Sequence, residues 1–137
     1  MNYIYDASFV GAIILPDEKN PDVDKINNAV DENDMIYIPQ MLWYEVTNIL
    51  NNVVRRKRIN SNEVIHLYKV ISAIKFTTDF ETGINYSKKL WELCIKYNLS
   101  SYDAAYLELA DRKKAILCTL DDNLINAAKK HGVTIIK

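Results

Sequence analysis

Cysteine, glycine and proline are all scarce, at 2, 3 and 3 of 137 residues. Cys94 and Cys118 stand in apolar surroundings without CxxC spacing. With only two histidines, His66 and His131, beside them, a zinc site and a disulfide scaffold are excluded. So little glycine and proline also excludes a low-complexity chain. Long apolar runs are missing: the longest, Phe9 to Leu15, falls far short of the roughly 20 residues that span a bilayer, and no basic segment precedes it. Nor does one charge predominate. With 17 Lys and Arg against 18 Asp and Glu the net charge is -1, so no global field draws in nucleic acid and a polyanionic partner must find a local patch. These absences lead us to expect a cytoplasmic protein with no membrane segment.

What the chain does have is apolar surface to bury, since 49% of its residues are apolar or aromatic. At this length roughly two thirds of the unfolded chain's surface is buried on folding. Neither a repeat nor a linker interrupts it, and a single domain over residues 1–137 is expected. Short β-favouring runs at 3–5, 35–38, 74–78, 115–119 and 133–136 alternate with helical periodicity at 8–15, 21–31, 40–55, 61–73, 80–97, 101–113 and 122–131. Strands separated by helices predict an α/β fold in three layers, α/β/α, around a five-stranded parallel sheet. Ser100 and Ser101 mark a helix start, and Lys129, Lys130 and His131 ahead of Gly132 mark a helix end.

Right-handed crossovers bring the N-terminus of a helix that follows or precedes a strand to the carboxyl edge of the sheet. The rule leaves helices 61–73 and 80–97 unplaced, because two helices in one crossover cannot both run antiparallel to the strands. It brings four acids to one edge: Asp6 after the first strand, Glu45 early in the third helix, Asp103 in the first turn of the sixth, and Asp121 after the fourth strand. Each also has a local use. Asp6 and Asp121 can be N-caps worth about 1 kcal/mol, and Asp103 can close a capping box with Ser100. Yet Asp103 shares a helical face with Leu107 and Ala110, whereas Glu108 and Arg112 supply an opposite, solvated face. Glu45 borders a stripe of Leu42, Val46, Ile49 and Val53.

Carboxylates drawn together repel by roughly 4 kcal/mol per close pair at an effective dielectric of 20. No matching set of Lys or Arg accompanies them. A hard divalent cation, Mg²⁺ or Mn²⁺, resolves the repulsion more simply than proton sharing, and metal-assisted phosphodiester hydrolysis is the chemistry such a site suits.

Four runs carry a family likeness: Tyr5, Asp6, Ala7, Ser8; then Glu45 through Leu50; then Leu99 through Tyr106, which is the most specific; then Thr119, Leu120, Asp121 with Leu124 beyond. Together they resemble the acidic motifs of the PIN-domain ribonucleases, and within them the VapC toxins of toxin–antitoxin modules. The likeness runs the length of the chain and departs from the family at none of the four acids. It implies a parallel α/β/α sandwich and Mg²⁺ or Mn²⁺ at Asp6, Glu45, Asp103 and Asp121. It further implies cleavage of RNA, a homodimer and inhibition by a cognate antitoxin. By analogy Asp6, Glu45 and Asp103 hold the metal and its water, and Asp121 is a further ligand. Thr119 and Ser8 either bond to the site or cap the local backbone. Asp122, next to Asp121, is a competing candidate; the family's Thr-x-Asp pattern favours Asp121.

Other features carry two readings each. Arg55, Arg56, Lys57 and Arg58 meet RNA phosphates or end a helix in solvent. Trp43 and Tyr44 stack on unpaired bases or pack. Neither His66 nor His131 has an evident partner to make it a general base. Two rival functions remain: a PIN nuclease of housekeeping RNA processing, and a non-catalytic module whose acids are caps and whose grooves bind a protein. A phospho-acceptor receiver domain fits poorly, because Asp6 lacks a paired acid and the only lysine after the last strand is Lys137.

Overall fold

The computed structural model describes residues 1–136; Lys137 lies outside the described residues. In chain order the elements are β1 (Asn2–Tyr5), α1 (Ala7–Ile14), α2 (Pro21–Ala29), β2 (Met35–Pro39), α3 (Met41–Arg55), α4 (Val64–Ala73), β3 (Phe76–Asp79), α5 (Ile84–Tyr97), α6 (Ser101–Arg112), β4 (Ile116–Cys118), α7 (Asp122–His131) and β5 (Ile135–Ile136). The strands lie in the order β3-β2-β1-β4-β5, and every neighbouring pair is parallel. The α/β/α sandwich read from the alternation of strands and helices is thus observed.

The chain steps outward from β1 to β2 and β3, then returns to the other side of β1 for β4 and β5. With right-handed crossovers the first four helices cover one face and the last three the other. The packing agrees: α1 meets α2, α3 and α4, while α6 meets α5, α7 and the strands β1, β2 and β4. This settles the two helices that the crossover rule left unplaced. Helices following β1 and β4 leave toward opposite faces, which makes the carboxyl end of this pair the switch point where such sheets open a crevice. Beneath it the core is closed: Ile4, Tyr5, Ile38, Leu117 and Cys118 are fully buried.

Helix ends follow local chemistry. The Ser100 hydroxyl accepts the Asp103 N–H at 3.2 Å and starts α6. Gly132, with φ of 81°, ends α7 in the left-handed region where a Cβ would be strained, and the Val133 N–H closes back onto the Ala128 carbonyl at 2.9 Å. That closure commits Val133 to the helix exit, so β5 is shorter than the run 133–136 suggests. At the start of α4, Asn60 and Glu63 exchange backbone-to-side-chain hydrogen bonds, which form a turn and delay the helix to Val64.

Two expectations about helix faces are corrected. Glu108 and Arg112 do not form a solvated side of α6: every residue from Ala104 to Ala110 is buried, Glu108 to 6% exposure, because α5 and α7 flank α6 on both sides. Glu108 is tolerated there because Arg112 donates to it at 2.8 and 2.9 Å and also grips both oxygens of Asp79 at 2.9 and 2.7 Å. The guanidinium holds the Asp79 carboxyl below the usual carboxylate range. On α3 the buried stripe is Leu42, Val46, Leu50 and Val53, while Ile49 is only half-buried, at the edge facing Gly11 of α1.

Removing the cation should leave Glu108 buried and unpaired. Arg112→Ala is expected to cost about 3 kcal/mol in urea unfolding at neutral pH. A depressed carboxyl stabilises only where it is ionised, so the deficit should shrink as pH falls through the Asp79 pKa.

Candidate active site

Asp6 ends β1 and starts α1 in one residue. Its Oδ1 accepts the Phe9 N–H at 3.0 Å, the N-cap bond, and also the Ser8 hydroxyl at 2.7 Å. Its Oδ2 accepts the hydroxyl of Thr119, which is fully buried at the end of β4. The Thr119 Oγ1 in turn accepts the Asp121 N–H at 3.0 Å, and the Ser8 Oγ accepts the Leu120 N–H at 2.9 Å. Two hydroxyls therefore stitch the loop after β1 to the loop after β4 across the switch point. Both are local backbone acceptors and both bond to the site acid, so the two readings of Ser8 and Thr119 hold together.

The remaining acids approach from the helices. Asp121 caps α7 by accepting the Leu124 N–H at 3.0 Å on Oδ1. Asp122 is exposed on the first turn of α7 and does not join this network. Glu45, on α3, accepts the Tyr106 hydroxyl on Oε1 at 2.6 Å. Asp103, on α6, has its N–H capped by Ser100, yet its carboxylate accepts no backbone N–H among the described residues.

Capping therefore accounts for Asp6 and Asp121 but not for Glu45 or Asp103. The acids sense one another. Burial raises the Asp6 carboxyl against the opposing bonds from Thr119, Ser8 and Phe9, and Asp121 raises it further. Burial likewise raises Glu45, against the Tyr106 hydrogen bond, with added repulsion from Asp6 and Asp103. Asp103 is raised by burial and then by Asp121 and Asp6, against a weaker opposing hydrogen bond from Ser100. Among the described residues no Lys, Arg or His forms an ion pair with any of the four. As the side chains stand, no three His, Cys, Asp or Glu among the described residues converge closely enough to grip a metal ion. Asp6, Glu45 and Asp121 are instead turned onto protein donors. The donor set nonetheless fits a hard divalent cation, being all oxygen, mutually repelling and without a protein counter-charge.

The family model for the PIN domain matches residues 3–130. The chain belongs to the PIN-domain family. Ribonuclease VapC3 of Pyrobaculum aerophilum is 29% identical over 128 residues, which is 90% of this PIN domain chain and 92% of that protein. Among solved structures, PAE2754 from the same organism superposes with a TM-score of 0.67 at 24% identity, covering 98% of this chain and 92% of that one. VapC20 of Mycobacterium tuberculosis, described as a sarcin-ricin loop cleaving toxin, superposes with a TM-score of 0.65 at 12% identity, covering 91% and 94%. FitAcB from Neisseria gonorrhoeae gives 0.60 at 11% identity over 98% and 96%.

In this PIN domain Tyr106, the last residue of the third acidic run, has a role that the sequence did not reveal. It is 2% exposed and lies one turn beyond Asp103 on α6, which lets one helix present an acid and the phenol that orients a second acid. Burial, followed by Glu45, raises its pKa and keeps the hydroxyl protonated as a donor. In the basic run Arg56 and Arg58 both line a groove between α1 and α3, but Arg58 is bound to Asp17 at 2.8 and 2.6 Å. His66 is exposed, as read from the sequence. His131 is not partnerless, since its Nδ1 meets the Tyr97 hydroxyl at 2.8 Å and its Nε2 lies 3.4 Å from Asp111. Asp111 is roughly 12 Å along the α6 axis from Asp103, so this contact belongs to the opposite end of the helix.

Repulsion among the acids makes a stability prediction. A carboxyl whose folded pKa is raised destabilises the folded state increasingly as pH rises from the unfolded pKa through the raised one. Without divalent metal, Asp103→Asn should therefore raise the thermal midpoint at pH 7, through a stability gain on the order of 0.5–1 kcal/mol after solvent screening. The gain should vanish as pH falls to the ordinary carboxylate range. A lower midpoint at pH 7 would contradict the repulsion.

Proposed function

We propose that this PIN domain is a metal-dependent endoribonuclease acting as the toxin of a toxin–antitoxin pair. The observation that carries the reading is the set of mutually repelling acids without a protein cation, placed at the switch point of a fold shared with a protein named as a ribonuclease and another described as a cleaving toxin. The fully non-catalytic alternative needs all four acids to be caps, and Glu45 and Asp103 cap nothing with their carboxylates.

Asp6, Glu45 and Asp103 would hold Mg²⁺ or Mn²⁺, with Asp121 as a further ligand. Such an ion, when bound, makes water a better nucleophile and offsets charge developing on a phosphate. The chain's own groups do the rest. Thr119 and Ser8 fix the Asp6 carboxylate, and Tyr106 fixes Glu45 through Oε1. That leaves Oε2 of Glu45 as the oxygen that would take the ion. Arg56, in the groove that also includes Ser8 and Leu120, can meet an RNA phosphate.

An antitoxin and a second copy of the chain are the partners in this reading. Large apolar side chains at Ile65, Ile84, Trp91 and Ile95 are 64%, 74%, 64% and 68% exposed, which supports a protein partner on α4 and α5. No helix among the described residues is long and apolar enough to cross a membrane, in keeping with the cytoplasm as the site of action.

Purified protein with Mg²⁺ or Mn²⁺ should cut a mixed RNA pool, and both EDTA and Asp103→Asn should abolish the cuts while the far-ultraviolet dichroism stays native. Cleavage that survives EDTA, or an Asp103→Asn variant at the wild-type rate, would sink the assignment. Tyr106→Phe should lower metal affinity in calorimetry and cleavage rate by about 10- to 100-fold, the range for a residue that orients a ligand.

A further inference from the structure

Two grooves are lined by sequence neighbours of the four acids, and they differ in chemistry. One, between α1 and α3, includes Ser8 and Leu120, the neighbours of Asp6 and Asp121, and carries Arg56 together with Arg58, which is paired with Asp17 and Glu18. The other, about 380 Å³, opens where the ends of β2 and β3 meet α5 and the start of α6. It is lined by Tyr44 and Tyr102, which directly precede Glu45 and Asp103, and by the half-buried Tyr86. Gln40 and Glu81 supply exposed polar groups on its border, and Asp79 is the remaining charged residue of its lining. The lining contains no Lys or Arg. Asp79 is already gripped by Arg112, which it shares with Glu108, so the trio stays net negative.

A groove with aromatic walls, acceptor groups and no cation repels phosphate but suits a neutral, flat, hydrogen-bond-donating ring. Unpaired bases are held in this way, stacked on aromatic side chains with their edges bonded by carboxylate or amide groups. We propose that this groove is the subsite for one unpaired nucleobase of the RNA strand, next to the phosphate that the acids receive, and that Tyr44 and Tyr102 stack on it. The proposal rests on the ribonuclease reading. It gives the strand a direction across the site, with backbone phosphate on the Arg56 side and the recognised base on the tyrosine side. Tyr44 and Tyr102 are 71% and 62% exposed, so their large rings are held in water rather than spent on the core, each one residue before an acid in the sequence.

The test is a binding cycle on the intact chain carrying Asp103→Asn, which keeps the RNA uncut. The probe is a short oligouridylate with one fluorescent pyrrolocytosine, placed at each position in turn, and a matching set with an abasic residue. Stacking should quench the fluorophore at one position. Tyr44→Ala and Tyr102→Ala should each abolish the quench and weaken binding by roughly tenfold, the scale of one base–aromatic stack. Tyr44→Phe and Tyr102→Phe should retain it. The abasic oligomer should bind the Ala variants no more weakly than it binds the parent protein, because the two losses remove one contact.

Quenching that survives both Ala substitutions, or losses that add with the abasic residue, would overturn the proposal. Ala variants that bind RNA like the parent but dissociate a dimer in sedimentation would also overturn it and assign the groove to protein. Failure of the nuclease reading looks different: no metal-dependent cleavage by wild-type protein, whatever the tyrosines do to binding. Cleavage by wild type with unchanged rates in both Ala variants would reject the base subsite and leave the nuclease standing.

Discussion

Thr119 reaches from the end of β4 to the carboxylate that ends β1, and the rest of the site is arranged around that bond. In a sheet ordered 3-2-1-4-5 the chain leaves these two central strands toward opposite faces, so nothing covalent and no helix ties their carboxyl ends together. The strand pairing ends with the Asp6 N–H on the Cys118 carbonyl at 3.2 Å, and beyond it two hydroxyls join the loops. Each accepts a backbone N–H from the opposite or its own loop and donates to Asp6, leaving few unsatisfied groups in a crevice that must stay open. Burying Asp6 this way raises its pKa, and the bonds from Thr119, Ser8 and Phe9 oppose that cost.

The helices complete what the strands begin. α6 is the central helix of its face, enclosed by α5 and α7, and this enclosure explains three observations at once. It forces Glu108 into the interior, where Arg112 must pair with it while also gripping Asp79. It buries Tyr106, so that the phenol can reach only the carboxylate aimed at it from α3. It also leaves the first turn, with Asp103, as the part of the helix that faces the crevice. The same helix is thus held at its far end by an ion triad and presents unneutralised charge at its near end.

Much of this was legible in the sequence. Asp6 and Asp121 stand where β-favouring runs stop, and parallel topology sends strand ends to one edge. Glu45 and Asp103 were visible as charges out of place on apolar faces. Ser100 and Gly132 announced their helix ends by type alone. What stayed hidden depends on contacts between distant elements. A single helical period reports one buried face, so it assigned Glu108 and Arg112 to solvent, when α6 is buried all round. Tyr106 reads as core in any amphipathic helix, and its partner lies 61 residues away. The same applies to His131, whose neighbours Tyr97 and Asp111 come from two other helices. Val133 looked like strand because its type favours one, but the closing bond to Ala128 belongs to the preceding helix.

The double employment of Asp6 and Asp121 as caps divides the acids into two kinds. At positions 6 and 121 the group that would hold the metal is also the one that begins a helix, so a replacement there must still offer a capping oxygen, as Asn or Ser does, or weaken the fold. Positions 45 and 103 carry no such obligation through their carboxylates. A descendant that abandoned catalysis and survived as a binding protein would therefore vary freely at the helix acids and keep capping residues at the strand ends. Its remaining pair would be a record of architecture rather than of activity.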